Sequence, residues 1–540
     1  MLMEMKKGMW FDVRRLQFVS RRSTVMAPNG VVATSQPLAA QAGLSILKRG
    51  GNAVDAAVAS AAVLNVVEPG STGIGGDVFA LVYDSRSGSL EGLNASGWSP
   101  RNATIEHYMG QGFTTMPVYG VFSITVPGAL AGWEALLEKY GTLSFREVLE
   151  PAINYARNGF PVSERIAQAW PGDKLSRHPG GEEYLIDGRA PRPGEKFHQK
   201  NLALTFEAIA EGGADVFYRG DLSKKIIQFL KNKGGIMEAD DFSEFEPEWV
   251  TPISIEYKGH TLYELPPNGQ GLCALEALKI ASHFDVDRYE FNSSKYLHTM
   301  IESMKLAFAD GHHFIADPRF REIPVKRLTS ETYCRKRSAQ ITDSTMVTPL
   351  RLIKASDTVY LTVVDKARNM VSFINSLYHN FGSGVVVEGT GIVLQNRGAS
   401  FNLDEAHHNC LEPRKRPYHT IIPAMMYKNG EPFMSFGVMG GHMQPQGHLQ
   451  VTSNIVNFHM SPQDALDAPR FRFEEGKKVL LEDSIAPTTM KDLMKKGHHI
   501  EVMSRLSPQF GGGQIIIADH EQGCLYAGSD PRKDGCAVGY

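Results

Sequence analysis

Asp357-Thr358-Val359-Tyr360-Leu361-Thr362-Val363-Val364-Asp365 is the stretch on which the fold of this chain turns. Val359, Leu361 and Val363 alternate with Thr358, Tyr360 and Thr362, the period of two that marks a strand with two distinct faces. A second strand candidate, residues 370–375, follows across Lys366-Ala367-Arg368-Asn369, so the pair reads as a hairpin with Thr358 at its mouth. Further along, Gly437-Val438-Met439-Gly440-Gly441-His442 ends an apolar run on two adjacent glycines.

A threonine hydroxyl inside a chain is a poor nucleophile. If the chain is cut between Asp357 and Thr358, the new terminus carries a nucleophile and a base in one residue. An α-amino group titrates at roughly 7.7–8.0, a value suited to proton transfer near neutrality. Attack on an amide creates an oxyanion that needs preorganised N–H donors. Gly440 and Gly441 can supply two, because glycine lets the backbone approach the reacting atom. Each feature alone is common in proteins that do no chemistry, since most threonines at strand starts and most Gly-Gly pairs serve only the fold.

Working outward, residues 30–34 read as a short buried strand, and Ser35 is expected to cap the helix that Pro37 begins. Asn52 starts a second helix, residues 53–67, with almost no polar face, which predicts full burial. Pro69-Gly70-Ser71-Thr72-Gly73-Ile74-Gly75-Gly76-Asp77 leads into a strand at 78–83. Further helices are predicted at 128–140, 145–158, 272–283 and 294–316, with strands at 253–257 and 260–263. Residues 329–357 are polar and weakly patterned, an exposed lead-in to a cleavage point. After Thr358 strands dominate, at 391–394, 420–427, 433–438 and 514–518. No linker divides the chain, so one large domain is expected.

The 540 residues are 42% hydrophobic and 21% charged, with a net charge of −3. Nothing in that balance implies nucleic acid or an anionic membrane as partner. Five scattered cysteines without a CxxC indicate free thiols in a reducing compartment. No run reaches transmembrane length, and the N-terminus lacks a signal-peptide core, so a cytoplasmic protein is expected.

Several words, in order and spacing, carry a resemblance. They are Gly50-Gly51-Asn52-Ala53-Val54-Asp55-Ala56-Ala57, Gly73-Ile74-Gly75-Gly76-Asp77, Val126-Pro127-Gly128, Pro266-Pro267-Asn268-Gly269-Gln270-Gly271, Asp357-Thr358, Lys415-Arg416-Pro417, Gly440-Gly441, Ala468-Pro469-Arg470-Phe471 and Ser529-Asp530-Pro531-Arg532. From about Gly30 to Tyr540 the chain resembles the gamma-glutamyltranspeptidase (glutathione hydrolase) family of N-terminal-nucleophile hydrolases. The resemblance implies an α+β fold, a four-layer αββα sandwich with two stacked antiparallel sheets. It also implies self-cleavage into residues 1–357 and 358–540, two subunits that stay together, with a homo-oligomer of these as a further expectation. Thr358 is then the nucleophile, Gly440-Gly441 the oxyanion hole, and Ser376 stands where a threonine hydroxyl usually binds the new terminus. The family uses no cofactor and no metal. Its substrates are small amides, with water or an amine as acceptor.

The departures concern the substrate clamp. Ser96 replaces the family's arginine for the α-carboxylate, and cannot make a bidentate pair. Ser400 replaces the aspartate for the α-amino group, Arg397 falls at a glutamine, His419-Thr420 at paired serines, and Tyr378 at an asparagine. This favours the acylase-like branch, including proteins labelled cephalosporin acylase. Arg397, or the basic run Arg414-Lys415-Arg416, is then a candidate for a carboxylate-bearing acyl group, although Arg414 reads as solvated. His442, after the glycines, is expected to line the pocket. His312-His313, His407-His408 and His498-His499 lack metal-ligand spacing and read as surface pairs. Three readings stay open: a γ-glutamyl hydrolase or transferase, an acylase-like amidase without γ-glutamyl activity, and an uncut relative that only binds a metabolite.

Overall fold

The computed structural model describes residues 22–351 and 357–540; the expected lead-in at 329–357 lies partly outside them. Thr358 sits on the strand Asp357–Val364, third in a seven-stranded antiparallel sheet. The order across that sheet is Cys536–Gly539, Val31–Thr34, Asp357–Val364, Met370–Tyr378, Asp77–Asp84, Ser89–Ala95 and Glu248–Val250. A second seven-stranded antiparallel sheet runs Val25–Ala27, Cys524–Ser529, Gly512–Asp519, Glu431–Met439, Ala424–Lys428, His260–Glu264 and Ile253–Tyr257.

The alternation read at Thr358 sorts the core. Val359, Leu361 and Val363 pack with Ala53–Val67 and its neighbouring helices in one apolar cluster. Tyr360 and Val364 point the other way, into a cluster shared with Met425, Met439 and Ile516 of the second sheet. Outside the second sheet lie the helices Gly271–Ala281, Ser294–Phe314 and Met443–Val456. Four layers result, each burying one apolar face against the next, the αββα sandwich. Burial at about 25 cal/mol per Å² of apolar surface drives this stacking. A smaller four-stranded sheet, which includes one parallel pair, flanks it.

All fifteen residues of Ala53–Val67 are buried, as their lack of a polar face demands. Asn52 and Asp55 form a reciprocal capping box at its start. Ser35 is not the cap of the preceding helix Pro37–Lys48. Gln36 takes that role, and the Ser35 hydroxyl turns to Glu68. The expected strands at 391–394 and 420–427 shrink to Ile392–Val393 and Ala424–Lys428, because the backbone around them bonds into loops lining the site.

Two glycines are required by close approach. A β-carbon at Gly437 would come within 2.4 Å of the Tyr360 ring, so glycine lets the second sheet press against the Thr358 strand. A β-carbon at Gly76 would lie 2.4 Å from the Ser376 carbonyl oxygen. The Gly73–Asp77 loop thus brings backbone against Ser376.

Candidate active site

The register between Asp357–Val364 and Met370–Tyr378 slips beside Thr358: Asp357 opposes Tyr378, whereas Val359 opposes Asn375. The extra residue bulges the Met370–Tyr378 strand, and Tyr378 takes a φ of 79°. Bulges of this kind re-aim side chains next to active sites. Here the bulge brings the Ser376 hydroxyl to 2.9 Å from Thr358 Oγ1 and 3.0 Å from the Asp357 carbonyl oxygen, to which it donates. Ser376 Oγ in turn accepts the Tyr378 amide at 2.8 Å and Arg397 Nη2 at 3.4 Å. Thr358 Oγ1 and Ser376 Oγ share one hydrogen bond, in which either hydroxyl can be the donor.

Gly440 and Gly441 follow the strand Glu431–Met439, with φ of 127° and 61°. Among the described residues no acceptor takes either amide N–H. Gly441 is buried and Gly440 half-buried, and N–H groups left unpaired at such a place are open to an acceptor on a ligand. Gln270 fixes the turn, its Nε2 donating to Gly441 O at 2.9 Å and to Thr420 O at 2.6 Å. Gly440 and Thr358 line one cavity of about 610 Å³.

Arg397 is fully buried behind Ser376 and does not line that cavity. Nη1 donates to Thr420 Oγ1 at 2.8 Å, the guanidinium lies 4.0 Å from the Tyr378 ring centre, and Nε has no partner. No carboxylate of the described residues is within ion-pair distance. Burial therefore pulls Arg397 down to about 10, against the opposing pull of Tyr378 and Asp77. Ser400 Oγ is buried beside the Tyr378 phenol.

The other expected site residues divide. His419 is spent inside the protein: Nε2 meets Asp77 Oδ2 at 2.9 Å, and Nδ1 accepts the Ile421 amide at 3.3 Å. Burial, reinforced by Arg397, holds His419 down at about 4. His442 is held down to about 3 by burial and by Arg472, and its Nδ1 meets Gln270 Oε1 at 3.2 Å. Neither histidine has a nearby role as a cation. Ser96 is buried and donates to Asn94 Oδ1 at 2.7 Å, so the position of the family's arginine is closed by neutral hydrogen bonds.

The basic run is a correction. Lys415 and Arg416 are buried, and all three members are paired: Arg414 with Glu244, Lys415 with Glu412, Arg416 with Glu248. They brace the loop and leave no free charge for a substrate. Of the histidine pairs, His312-His313 and His499 are exposed as expected, whereas His498 is buried, 2.8 Å from His298. Asp77 and Gln270 went unassigned in the sequence although both stand in quoted motifs. Asp77 accepts from Gly97 N, Gln395 and His419, each at 2.9 Å, tying the first sheet to the Arg397 loop.

Two stacked antiparallel sheets between helix layers, with a strand-borne threonine facing an open Gly-Gly turn, define the fold class of the N-terminal-nucleophile hydrolases. The chain belongs to the gamma-glutamyltranspeptidase family, whose sequence model matches residues 39–540. It is 41% identical to the glutathione hydrolase-like YwrD proenzyme of Bacillus subtilis, covering 96% of this chain and 99% of that protein. It is 34% identical to the oxamate amidohydrolase proenzyme of Klebsiella pneumoniae, covering 96% of this chain and all of that one. A crystal structure of cephalosporin acylase from Bacillus halodurans superposes with a TM-score of 0.91 at 45% identity, covering 98% of this chain and 99% of that one. The family and these relatives make the protein a hydrolase of amides in the broad sense.

Proposed function

We propose that this protein is a self-processing threonine amidohydrolase. The chain is cut before Thr358 into residues 1–357 and 358–540, which remain one αββα body. The new α-amino group deprotonates Thr358 Oγ1, which attacks the substrate amide. Gly440 and Gly441 stabilise the oxyanion, and water or an amine releases the acyl group. The observation that carries this reading is the contact of Thr358 Oγ1, Ser376 Oγ and the Asp357 carbonyl, a nucleophile and a polarised carbonyl bridged by one hydroxyl.

The substrate is a small amide whose acyl half enters the cavity lined by Thr358 and Gly440, with Arg397 behind that cavity as the residue that holds Ser376 and Thr420. A γ-glutamyl group suits the site poorly. Its α-carboxylate finds Ser96 already bonded to Asn94. The Klebsiella relative is named for oxamate, whose carboxylate adjoins its amide.

Intact mass and N-terminal sequencing of the purified protein test the first part. Two fragments, one beginning at Thr358, are expected, and Thr358→Ala should give a single uncut, inactive chain. A stable uncut wild-type chain without amidase activity would overturn the reading and favour the metabolite-binding alternative. Turnover of oxamate set against a γ-glutamyl anilide tests the substrate class.

A further inference from the structure

Glu68 directly follows the helix Ala53–Val67 and is 2% exposed. Each of its carboxyl oxygens accepts one serine hydroxyl: Oε2 from Ser35 at 2.6 Å, Oε1 from Ser71 at 3.0 Å. Ser35 directly follows the strand Val31–Thr34, which pairs with Asp357–Val364, and the Ser71 carbonyl accepts the Leu377 amide at 3.1 Å. Elements on both flanks of the bulge therefore aim this carboxyl into the cavity lined by Thr358, Asp357 and Gly440.

No cation of the described residues lies within ion-pair distance of Glu68. The charges acting on it are those of Lys533 and Asp357, which pair with each other at 3.4 Å. The cavity's other charges are engaged elsewhere: Glu474 with Lys478, Arg532 with Glu482, Asp534 with the Ser163 hydroxyl, and Arg472 with the Gln509 carbonyl. Arg165 completes the rim. Burial lifts Glu68 to about 7, with Lys533 pulling the other way. A buried carboxyl balanced between its two protonation states adds little to stability and suits proton transfer.

We propose that Glu68 is the proton acceptor for the water that completes maturation, with Lys533 as a positioning residue that holds the Asp357 side chain. This rests on the self-cleavage reading above. Thr358 Oγ1 adds to the Asp357 carbonyl carbon. The C–N bond breaks, the hydroxyl proton ends on the Thr358 nitrogen, and an ester joins Asp357 to Oγ1. Water from the cavity then adds to the ester carbonyl while its proton passes to the Glu68 carboxylate. The C–Oγ1 bond breaks, and Glu68 returns the proton to Oγ1. The sum is one peptide bond and one water giving the Asp357 carboxyl and the Thr358 amine, with Glu68 regenerated.

The experiment follows cleavage of newly synthesised full-length wild type and Glu68→Gln by intact mass across a pH series, with and without neutral hydroxylamine. The glutamine variant should cleave roughly 100-fold more slowly. It should accumulate the ester, which hydroxylamine splits into a 1–357 fragment ending in a hydroxamate. The wild-type rate should rise with pH through about 7. A folded Glu68→Gln that cleaves at the wild-type rate and pH profile, or that stays uncut in hydroxylamine, overturns the proposal. If that variant does not fold, the wild-type profile decides, and a rate that does not change around neutral pH overturns it. An uncut wild type overturns the self-cleavage reading and this proposal with it, whereas a cut wild type beside an indifferent variant overturns this proposal alone.

Discussion

Thr358 Oγ1 and Ser376 Oγ stand 2.9 Å apart, and the same serine hydroxyl donates to the Asp357 carbonyl at 3.0 Å. One side chain thus touches both the attacking atom and the bond under attack. Ser376→Ala removes the polarising donor and should slow cleavage before Thr358 by roughly 10²-fold, the usual loss for one oxyanion-type donor. Ser376→Thr keeps the hydroxyl and should restore most of the rate. Time-resolved intact mass of both variants checks this.

Arg397 separates function from stability. Arg397→Met removes a buried charge with no carboxylate partner, so the thermal midpoint should hold steady or rise. Turnover should fall by roughly 10²-fold for a carboxylate-bearing and a neutral amide alike, because the support lost at Ser376 serves both. Arg397→Lys should not rescue, because a point charge cannot reach both Thr420 and Ser376 as the planar fork does. Melting curves and paired kinetics for the two substrates read the outcome.

Asp530 anchors the wall behind the cavity. It is buried between Arg470 at 2.6 Å and Arg532 at 3.2 Å, and Arg532 also grips Glu482. Burial raises Asp530, but the two arginines outweigh it and hold the carboxyl below its ordinary value. A depressed carboxyl stabilises the fold above its unfolded value of about 3.9, and that contribution is lost as the pH falls below it. Asp530→Asn should cost about 3–5 kcal/mol at neutral pH and flatten the acid limb of a stability–pH curve. Denaturant unfolding at several pH values measures both.

His419 and His442 are held neutral, at about 4 and about 3, by burial first and by Arg397 and Arg472 second. In the unfolded chain each titrates near about 6.5, so the unfolded state binds more protons below that pH and stability falls as the medium acidifies. Neither histidine should put a limb near pH 6.5 into the activity profile. The mature enzyme should instead gain activity with pH through about 7.7–8.0, the range of an α-amino group. A kcat/KM profile of wild type and His442→Gln checks this, the glutamine leaving the curve's position unchanged.

The sequence by itself determined the strand and its hairpin, because a period of two cannot satisfy any other backbone. It determined the buried helix Ala53–Val67, because a segment without a polar face has no place at the surface. It also marked Thr358 and the Gly440-Gly441 turn, whose residue types are bound to their chemistry. Only the tertiary structure decided which charges are spent. Arg414, Lys415, Arg416 and Arg397 look alike in sequence, yet Arg414 and Arg416 meet acids from a distant segment, Lys415 meets Glu412 of its own loop, and Arg397 meets none among the described residues. His419 and His442 lost their charge to burial, which no local pattern encodes. Glu68 and Lys533, 465 positions apart in the chain, share one cavity with Thr358 because the sandwich folds strand ends from both halves onto one edge. Pairing and desolvation depend on neighbours in space, and those neighbours exist only once the two sheets have stacked.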